Sequence, residues 1–302
     1  MSRNRLVLPS FAKVNLTLEL LGRRADRYWE IRTVYQTISL HDRITLRMVP
    51  RGRVTVRVPQ GGAPSGRLNL VHGCLSRARR RLGLNAGIDV ELGKTIPFAA
   101  GLGGGSSNAA VALLGLLQLT GTRLSRTELI EWGASVGADV PFFFLGGRVL
   151  GVGRGEEVYP LDDLPPLWCV VICPPSPVST RTAYQWATRG RRRLTLRPRA
   201  SKITRLRSGR NAPWAGRNDF EAVVFPQIPE LARMKTALLA AGASWAGLSG
   251  SGSAVYGLFP RRASAERAAA KLAGEGAVFL SQTLPRSVYR RAVGLSRSGE
   301  GS

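Results

Sequence analysis

Cysteine and histidine are both scarce in this 302-residue chain, and their scarcity excludes two kinds of site. Three cysteines are too few, and odd in number, for a disulfide framework. Cys169 and Cys173 lie in the apolar run "PLWCVVICP", which is typical of a buried strand. The two histidines, His41 and His72, are far apart in the sequence, so no zinc-binding set is predicted.

Long hydrophobic runs are missing as well. No stretch reaches the roughly 18 uninterrupted apolar residues that a membrane-spanning helix needs. The first residues, "MSRNRLVLPSFAKVNL", contain no apolar core of signal-peptide length. We therefore expect a cytoplasmic protein with no membrane partner.

Acidic residues are few: 19 Asp and Glu stand against 44 Lys and Arg, which leaves a formal net charge of +25. Such an excess is typical of proteins that bind nucleic acids. Here the arginines are scattered, with one dense segment at 189–210, and no zinc finger, RNP aromatic motif or helix-turn-helix pattern accompanies them. We interpret the excess as arginine enrichment from nucleotide bias. Nucleic-acid binding through 189–210 stays an alternative, and steep salt dependence would be its signature.

The patterns that are present predict an α+β fold. Hydrophobic content of 44% and charged content of 21% are those of an ordinary soluble globular protein. Alternating apolar residues predict strands at "KVNLTLEL", "RITLRM", "RVTVRV" and "GIDVEL". Helices are predicted at "NLVHGCLSRARRRLG", between a Ser125–Glu128 capping box and Gly137, and over Pro226–Ala241 and Arg261–Gly274.

The same patterns predict two lobes. The segment "DDLPP" at 162–166 has the composition of a linker. We expect an N-terminal lobe over 1–160, a C-terminal lobe over 161–290 and a disordered tail over 291–302.

Residues 94–117, "KTIPFAAGLGGGSSNAAVALLGLL", contain a glycine-rich loop that leads into a helix. Ser106, Ser107 and Asn108 are residue types that cap helix starts. A helix N-terminus offers unpaired N–H groups to an anion, and glycine lets a ligand approach the backbone closely, so the loop predicts a phosphate site. The loop has no Walker A lysine and no acidic residue on a second strand about 20 residues later, which excludes the two best-known phosphate loops.

Six stretches are similar, in order and spacing, to motifs of the GHMP small-molecule kinases. They are residues 9–42, 94–110, 137–144, 153–161, 218–231 and 247–259. The resemblance covers nearly the whole chain and is weakest over 187–215. It implies the two-lobed GHMP kinase fold, with an N-terminal lobe like ribosomal protein S5 domain 2 and an α/β C-terminal lobe.

Within that family, the chain resembles kinases that phosphorylate the tertiary C2 hydroxyl of a cytidine-diphosphate-linked methylerythritol. That reaction belongs to non-mevalonate isoprenoid precursor biosynthesis. The resemblance implies ATP and Mg²⁺ as cofactors and this small molecule as the partner. We expect a monomer or a weak homodimer, with nucleic acid not a main partner.

The resemblance also implies that Lys13 and Asp139 form the catalytic pair. An aspartate within hydrogen-bond reach can accept the proton of a hydroxyl, and a neighbouring lysine can stabilise the developing alkoxide. Taken alone, Asp139 also fits a helix-end cap, and Lys13 also fits a solvated strand lysine.

Further contacts are implied by the matching motifs. The implied cofactor-binding residues are Asn69, Lys94, Pro97, Gly101, Gly103, Gly104, Gly105, Ser106 and Ser107. The implied substrate-binding residues are Asn15, Tyr28, Trp29, Tyr184, Ser249, Gly250, Ser251 and Gly252, and no residue is assigned to a metal. Tyr28 and Tyr184 would stack on the two faces of the cytosine.

One segment departs from the family pattern. The family presents "GRRADGYHE", whereas this chain has "GRRADRYWE", so Arg27 replaces a glycine and Trp29 replaces a histidine. An indole N–H donates but cannot accept a hydrogen bond, and an arginine forced to a positive φ costs roughly 1 kcal/mol. We expect weakened or altered cytidine selectivity with intact ATP chemistry. If backbone N–H groups read the base instead, the exchange matters little.

Two further functions remain open on the sequence alone. One is a GHMP kinase with another alcohol acceptor, such as homoserine or a mevalonate derivative, which only the Arg27–Trp29 segment supports. The other is a non-catalytic binding protein of the same fold. The presence of both Lys13 and Asp139 argues against that second function, because a binding module needs no base.

Overall fold

The computed structural model describes residues 4–176, 178–189 and 216–295. The arginine-rich segment 189–210 lies almost entirely outside these ranges. The strands are β1 Arg5–Arg23, β2 Trp29–Val49, β3 Val54–Arg57, β4 Gly87–Gly93, β5 Arg148–Val152, β6 Glu157–Pro160, β7 Trp168–Cys173, β8 Trp245–Leu248, β9 Val255–Phe259 and β10 Ala277–Gln282. The helices are α1 Leu70–Arg81, α2 Gly104–Thr120, α3 Arg126–Val136, α4 Thr180–Arg189, α5 Glu221–Val224, α6 Pro229–Ala240, α7 Arg262–Lys271 and α8 Arg286–Ala292.

The N-terminal lobe is built on two long strands. β1 and β2 pair antiparallel over almost their whole length, so the predicted eight-residue strand "KVNLTLEL" is only the middle of a much longer one. The other edge of β2 pairs with β5 through residues 33–36 and with β4 through residues 43–49. β3 adds parallel to β4, and β6 adds antiparallel to β5.

The C-terminal lobe contains a four-stranded antiparallel sheet in the order β10-β7-β9-β8. The predicted buried strand is β7, and both of its cysteines are buried and free. Burial raises the pKa of the Cys169 thiol to about 12, so it stays protonated and behaves as a small apolar side chain.

The buried apolar residues form three clusters, and together these clusters connect the two lobes. One cluster fills the space between the first sheet and helices α1, α2 and α3. A second lies under the helices of the C-terminal lobe and includes Leu18, Leu20 and Trp29 from the ends of β1 and β2. A third lies between the two sheets, where Val14 and Val34 pack with residues of β7 and β9 such as Val171. β1 and β2 therefore contribute to the cores of both lobes.

Three predictions need correction. From its sequence we expect the glycine-serine segment 247–259 to lie between a helix and a strand, but its loop at 249–253 joins strands β8 and β9, because residues 245–248 pair with β9. Helix α2 begins at Gly104 after a left-handed Gly103 with φ 70°, so Ser106, Ser107 and Asn108 lie inside its first turns and do not cap it. Residues 291–295, expected in a disordered tail, are ordered, and Val293 is completely buried.

Local predictions hold where the interactions are local. The capping box of Ser125 and Glu128 is present in both directions, and α3 ends before Gly137. The predicted helices α1, α6 and α7 all form, each a few residues shorter than expected. Among the described residues, no helix combines the length and the hydropathy needed to cross a membrane.

Candidate active site

A cleft of about 1380 Å³ lies where the glycine loop, β1, the turn after α3 and helix α4 meet. Its walls include Lys13, Gly103, Asp139, Tyr184 and Ser251, which come from five separate segments of the chain. The cleft therefore brings together residues from four of the six stretches that resemble GHMP kinase motifs.

The glycine loop delivers the N-terminus of α2 to this cleft. The Ser107 N–H donates to the Gly103 carbonyl at 2.9 Å as α2 begins, so the N–H groups of Gly104, Gly105 and Ser106 have no acceptor inside the helix. All three residues line the cleft, with the positive end of the α2 dipole behind them. This backbone geometry is the one on which the predicted anion site depends.

Gly101 has a different role from the other glycines. A Cβ at this position would lie 2.1 Å from the Ser249 carbonyl oxygen, so only glycine allows the glycine loop and the β8–β9 loop to approach this closely. The Ser249 hydroxyl donates to the Gly101 carbonyl at 3.0 Å, and the Ala254 N–H donates to the Ala100 carbonyl at the same distance. Gly101 therefore holds two loops together besides lining the cleft.

The four substrate residues predicted in the β8–β9 loop divide into two pairs. Gly250 and Ser251 line the cleft, and a Cβ on Gly250 would lie 3.4 Å from the Lys13 ammonium. Ser249 and Gly252 lie behind the wall, where they shape the loop. Only the first pair is placed to meet a ligand.

The predicted catalytic pair is assembled. The Lys13 Nζ lies 3.4 Å from Asp139 Oδ2, and the lysine side chain is 4% exposed while the aspartate side chain is 32% exposed. Lys13 comes from β1 and Asp139 from the turn after α3, and the Lys13 N–H also donates to Leu102 in the glycine loop at 3.0 Å. Both residues line the cleft, and the carboxylate is the more exposed member of the pair.

Asn15 holds the lysine in place. Lys13 Nζ donates to Asn15 Oδ1 at 2.7 Å, and Asn15 Nδ2 donates to the Thr33 hydroxyl, also at 2.7 Å. The Thr33 hydroxyl in turn donates to the Thr17 carbonyl at 2.6 Å. Asn15, predicted to bind substrate, also lines the cleft, and these bonds orient Lys13.

A buried network anchors the segment before the glycine loop. Asp42 is completely buried and accepts bonds from the Lys94 ammonium, from the N–H groups of Thr95 and Ile96 at 2.8 Å, and from Asn108 Nδ2 at 3.0 Å. These four donors satisfy the carboxylate, which fixes Lys94 in the cleft wall beside the α2 N-terminus. The sequence analysis assigned no role to Asp42.

Ser107 lies on the far side of α2 from the cleft. Its hydroxyl bonds with that of Ser10 at 2.7 Å, and Asn108 donates to the same Ser10 oxygen at 2.9 Å. The prediction that the Ser107 hydroxyl reaches phosphate therefore needs correction, because the side chain is completely buried against β1. Ser106 stays in the cleft wall.

Two other predicted nucleotide residues, Asn69 and Pro97, also line the cleft. Asn69 accepts from the Val71 N–H at 3.0 Å and donates to the Pro64 carbonyl at 2.7 Å, so its side chain caps α1. These bonds fix the start of α1 in the cleft wall.

The two residues predicted to make aromatic contacts also line the cleft. Tyr28 is 58% exposed, and the Arg154 guanidinium lies 5.1 Å from the centre of its ring. Tyr184 packs edge-on against Phe220 with ring centres 4.9 Å apart, and burial raises the pKa of its hydroxyl. Both rings line the cleft, which leaves them available to a flat ligand group.

The two departures from the family pattern have different structural consequences. Arg27 has a φ of 68°, which is the left-handed conformation that favours glycine. Trp29 is 5% exposed and packs in the cluster that contains Leu18, Leu20 and Ile31. Trp29 is therefore a wall of the cleft and part of the core, whereas Arg27 is a strained backbone position.

Besides Asp42, the sequence analysis missed two residues that organise the site. Asn218 is buried and donates to the carbonyls of Leu248 and Gly250, each at 2.8 Å, which fixes the β8–β9 loop. Tyr35 donates to Asp139 at 3.0 Å from a completely buried position. Asn218 lies in a stretch that matches the family, so its position could have been noticed, but its partners are 30 and 32 residues away.

Comparison with known proteins identifies the family. The model of the GHMP kinases N terminal domain matches residues 69–147, and the model of the GHMP kinases C terminal matches residues 202–278. A 4-diphosphocytidyl-2-C-methyl-D-erythritol kinase of Solibacter usitatus is 42% identical, over 94% of this chain and 90% of that protein. The chain belongs to this family of GHMP kinases. The kinase of the same description from Moorella thermoacetica is 38% identical, over 95% of this chain and 99% of its own.

Solved structures agree with this GHMP kinase assignment. A crystal structure of 4-(cytidine 5'-diphospho)-2C-methyl-D-erythritol kinase superposes with a TM-score of 0.77 at 33% identity, covering 92% of this chain and 99% of its own. Homoserine kinase from Cytophaga hutchinsonii superposes with a TM-score of 0.69 at 20% identity, covering 94% of this chain and 96% of its own, and this likeness shows the fold alone. The predicted two-lobed α+β fold and the predicted small-molecule kinase are confirmed.

Proposed function

We propose that this GHMP kinase transfers the γ-phosphoryl group of ATP to the C2 hydroxyl of 4-diphosphocytidyl-2-C-methyl-D-erythritol, in non-mevalonate isoprenoid precursor biosynthesis. Relatives of this description at 42% and 38% identity over nearly the whole chain support the choice of substrate. The observation that carries the chemistry is the Lys13–Asp139 pair. Its charged atoms lie 3.4 Å apart in the cleft that also contains the N-terminus of α2.

In this mechanism Asp139 is the general base. It accepts the proton of the acceptor hydroxyl as the new bond to phosphorus forms and the bond to the departing ADP oxygen breaks. Lys13, buried and held by Asn15 at 2.7 Å, stabilises the negative charge that develops on the acceptor oxygen. Phosphoryl transfer asks a protein mainly for such positioning and charge stabilisation.

The phosphates of ATP would bind at the start of α2. Three N–H groups without a helical acceptor, those of Gly104, Gly105 and Ser106, point to an anion. The positively charged ammonium of Lys94 lies beside these N–H groups. A Cβ on Gly104 would lie 3.4 Å from that ammonium. The residues present thus fit the phosphates of a nucleoside triphosphate.

Mg²⁺ would be held largely by the nucleotide. Within residues 4–176, 178–189 and 216–295, no group of three or more His, Cys, Asp or Glu side chains is placed to hold a metal ion. Mg²⁺ in kinase sites is usually bound by one or two carboxylates together with substrate phosphates. We therefore expect the ATP phosphates to supply most of the ligands of this ion. When bound, the ion would neutralise charge on the transferring group.

The cytidine end of the acceptor would lie between Tyr28 and Tyr184. Both rings line the cleft, and the exposed ring of Tyr28 suits stacking on a base. Gly250 and Ser251 would close over the reacting end of the substrate, next to Lys13.

The test is ADP release from Mg²⁺-ATP in the presence and absence of this acceptor, with Asp139→Asn beside the unchanged protein. We expect acceptor-dependent turnover that falls about 10²- to 10⁴-fold in Asp139→Asn, the usual contribution of a general base. Asp162→Asn removes the same charge from an exposed position outside the cleft and should keep full activity.

The same assay separates the other candidate functions. Turnover with homoserine or mevalonate but not with the cytidine compound would assign a different acceptor to the same fold. An ATP-binding protein that turns over none of the three would contradict the proposal and favour a non-catalytic role.

A further inference from the structure

Tyr35 lies directly beneath the catalytic pair. It comes from the middle of β2, is 1% exposed, and its hydroxyl lies 3.0 Å from Asp139 Oδ1. A second acceptor, the Gly155 carbonyl, is 3.5 Å away and so makes the weaker contact. The mechanism above uses Lys13 and Asp139 but assigns nothing to this hydroxyl.

Two glycines make room for the tyrosine. A Cβ on Gly151 would lie 2.6 Å from the Tyr35 ring, and a Cβ on Gly155 would lie 2.4 Å from its hydroxyl oxygen. Gly151 belongs to β5 and Gly155 to the turn before β6, so the whole β5–β6 hairpin is shaped around this side chain. Phe142 packs on the ring with centres 5.0 Å apart. The hydroxyl therefore has one position open to it.

The surroundings keep this hydroxyl protonated. Burial, and then the negative charge of Asp139, raise the pKa of Tyr35 well above its ordinary value, so it acts as a hydrogen-bond donor. The other ionisable groups that face the pair are Lys13 from β1, Tyr184 from α4 and Glu156 from the β5–β6 turn. Lys13 Nζ lies 5.5 Å from the centre of the Tyr35 ring and 3.4 Å from the other oxygen of Asp139.

The two carboxylate oxygens of Asp139 thus have separate partners. Oδ1 accepts from Tyr35, and Oδ2 faces Lys13. The terminal torsion of an aspartate is soft, so a carboxylate on an exposed turn rotates unless something holds it. A donor on one oxygen fixes the direction of the other.

We propose that Tyr35 is a positioning residue, whose hydroxyl holds Asp139 through Oδ1 so that Oδ2 stays beside Lys13 and open to the acceptor hydroxyl. This inference rests on the proposed role of Asp139 as the base. It adds a third member to the catalytic arrangement, one that acts through Asp139.

The test is Tyr35→Phe, which removes one oxygen and keeps the ring. We expect kcat to fall about 10-fold, because a misdirected base reacts less often, while the KM for ATP stays within about 2-fold. The KM for the acceptor should also stay within about 2-fold, so that the loss falls on kcat alone. Calorimetric binding of a non-hydrolysable ATP analogue should be unchanged, which reports an intact site independently of turnover.

Tyr289→Phe is the matched control. Tyr289 is also completely buried and also donates its hydroxyl, to the Phe143 carbonyl, but it lies outside the cleft lining. We expect this variant to keep the kcat of the unchanged protein. An equal loss in both variants would mean that any missing buried hydroxyl impairs the enzyme, and would overturn the proposal.

A second variant displaces the hydroxyl without removing it. Gly155→Ala pushes a methyl group into the Tyr35 oxygen and should also lower kcat with little change in the KM for ATP, whereas Gly153→Ala, at a nearby glycine that also has a positive φ, should not. Wild-type kcat in Tyr35→Phe, with Asp139→Asn inactive, would refute the role of Tyr35 alone. No acceptor-dependent turnover in the unchanged protein would instead refute the proposed function.

Discussion

Arg27 replaces a glycine of the family pattern, and this replacement strains the backbone. Its φ of 68° belongs to a tight turn in which the Arg27 N–H donates to the Arg24 carbonyl at 3.1 Å and the Arg24 N–H donates to the Tyr28 carbonyl at 2.8 Å. A glycine would adopt this conformation freely, whereas arginine is strained by roughly 1 kcal/mol. The turn carries Tyr28, so the strain lies next to the proposed cytidine contact.

Restoring the family residues tests whether the departures matter. In Arg27→Gly, Trp29→His we expect a KM for the cytidine acceptor about 5- to 150-fold lower, as one recovered polar contact of about 1–3 kcal/mol would give. The KM for ATP should not change, because both residues lie away from α2. Steady-state kinetics with each substrate varied in turn provides the measurement.

Equal kinetics in the two proteins would contradict this expectation. Trp29 is 5% exposed within an apolar cluster, so its replacement also removes packing, and the unfolding midpoint of each single variant must be measured beside the kinetics. Arg27→Gly alone separates the backbone effect from the packing effect.

At the scale of elements, the site depends on how two loops meet at the start of α2. Gly101 and Gly121 both have left-handed backbones, with φ of 78° and 67°, and they flank the same helix. Only Gly101 is crowded, since a Cβ there would meet the Ser249 carbonyl oxygen at 2.1 Å, while nothing lies within 4 Å of a Cβ on Gly121. The pair therefore separates backbone strain from loop contact.

We expect Gly121→Ala to cost about 1 kcal/mol of unfolding free energy, with unchanged activity. Gly101→Ala should cost about 1–3 kcal/mol more, because the β8–β9 loop must move, and should lower kcat about 100-fold through displacement of the reacting groups. Urea unfolding and ADP-release kinetics measure the two effects. If the two alanine variants lose the same unfolding free energy and keep the same kcat, the contact between the loops does not contribute to activity.

At the scale of the whole molecule, the last helix ties the chain back to its beginning. α8 follows the C-terminal sheet in sequence, yet Tyr289 and Val293 pack in the cluster of the N-terminal lobe. Gly146 makes this possible, because a Cβ there would lie 1.9 Å from the Tyr289 ring. The predicted lobe of 161–290 therefore includes residues that stabilise the other lobe.

Tyr289→Ala should lower the free energy of unfolding by about 3–5 kcal/mol, the usual cost of deleting a fully buried aromatic ring. Val288→Ala, at a neighbouring position that is 45% exposed, should change it by less than about 0.5 kcal/mol. Urea unfolding followed by circular dichroism compares the two variants. A cost below about 1 kcal/mol for Tyr289→Ala would show that the N-terminal lobe does not need α8.

The sequence by itself determined whatever depends on neighbours along the chain. Alternation and helical spacing located the main strands and helices, the Ser125–Glu128 box located the start of α3, and the glycines before α2 indicated an anion site. Similarity to known motifs added the Lys13–Asp139 pair, which is separated by more than a hundred residues and which no local pattern would have joined.

Only the tertiary structure decided which contacts complete the site. The Tyr35–Asp139 bond spans 104 residues, the Ser249–Gly101 bond spans 148, and the Tyr289–Phe143 bond spans 146. The same reason explains why Ser107, a good cap by residue type, is instead buried against Ser10 on β1. Local propensity acts within about one helical turn, whereas these contacts depend on how β1 and β2 bring distant loops to one cleft, and no short stretch of sequence contains that information.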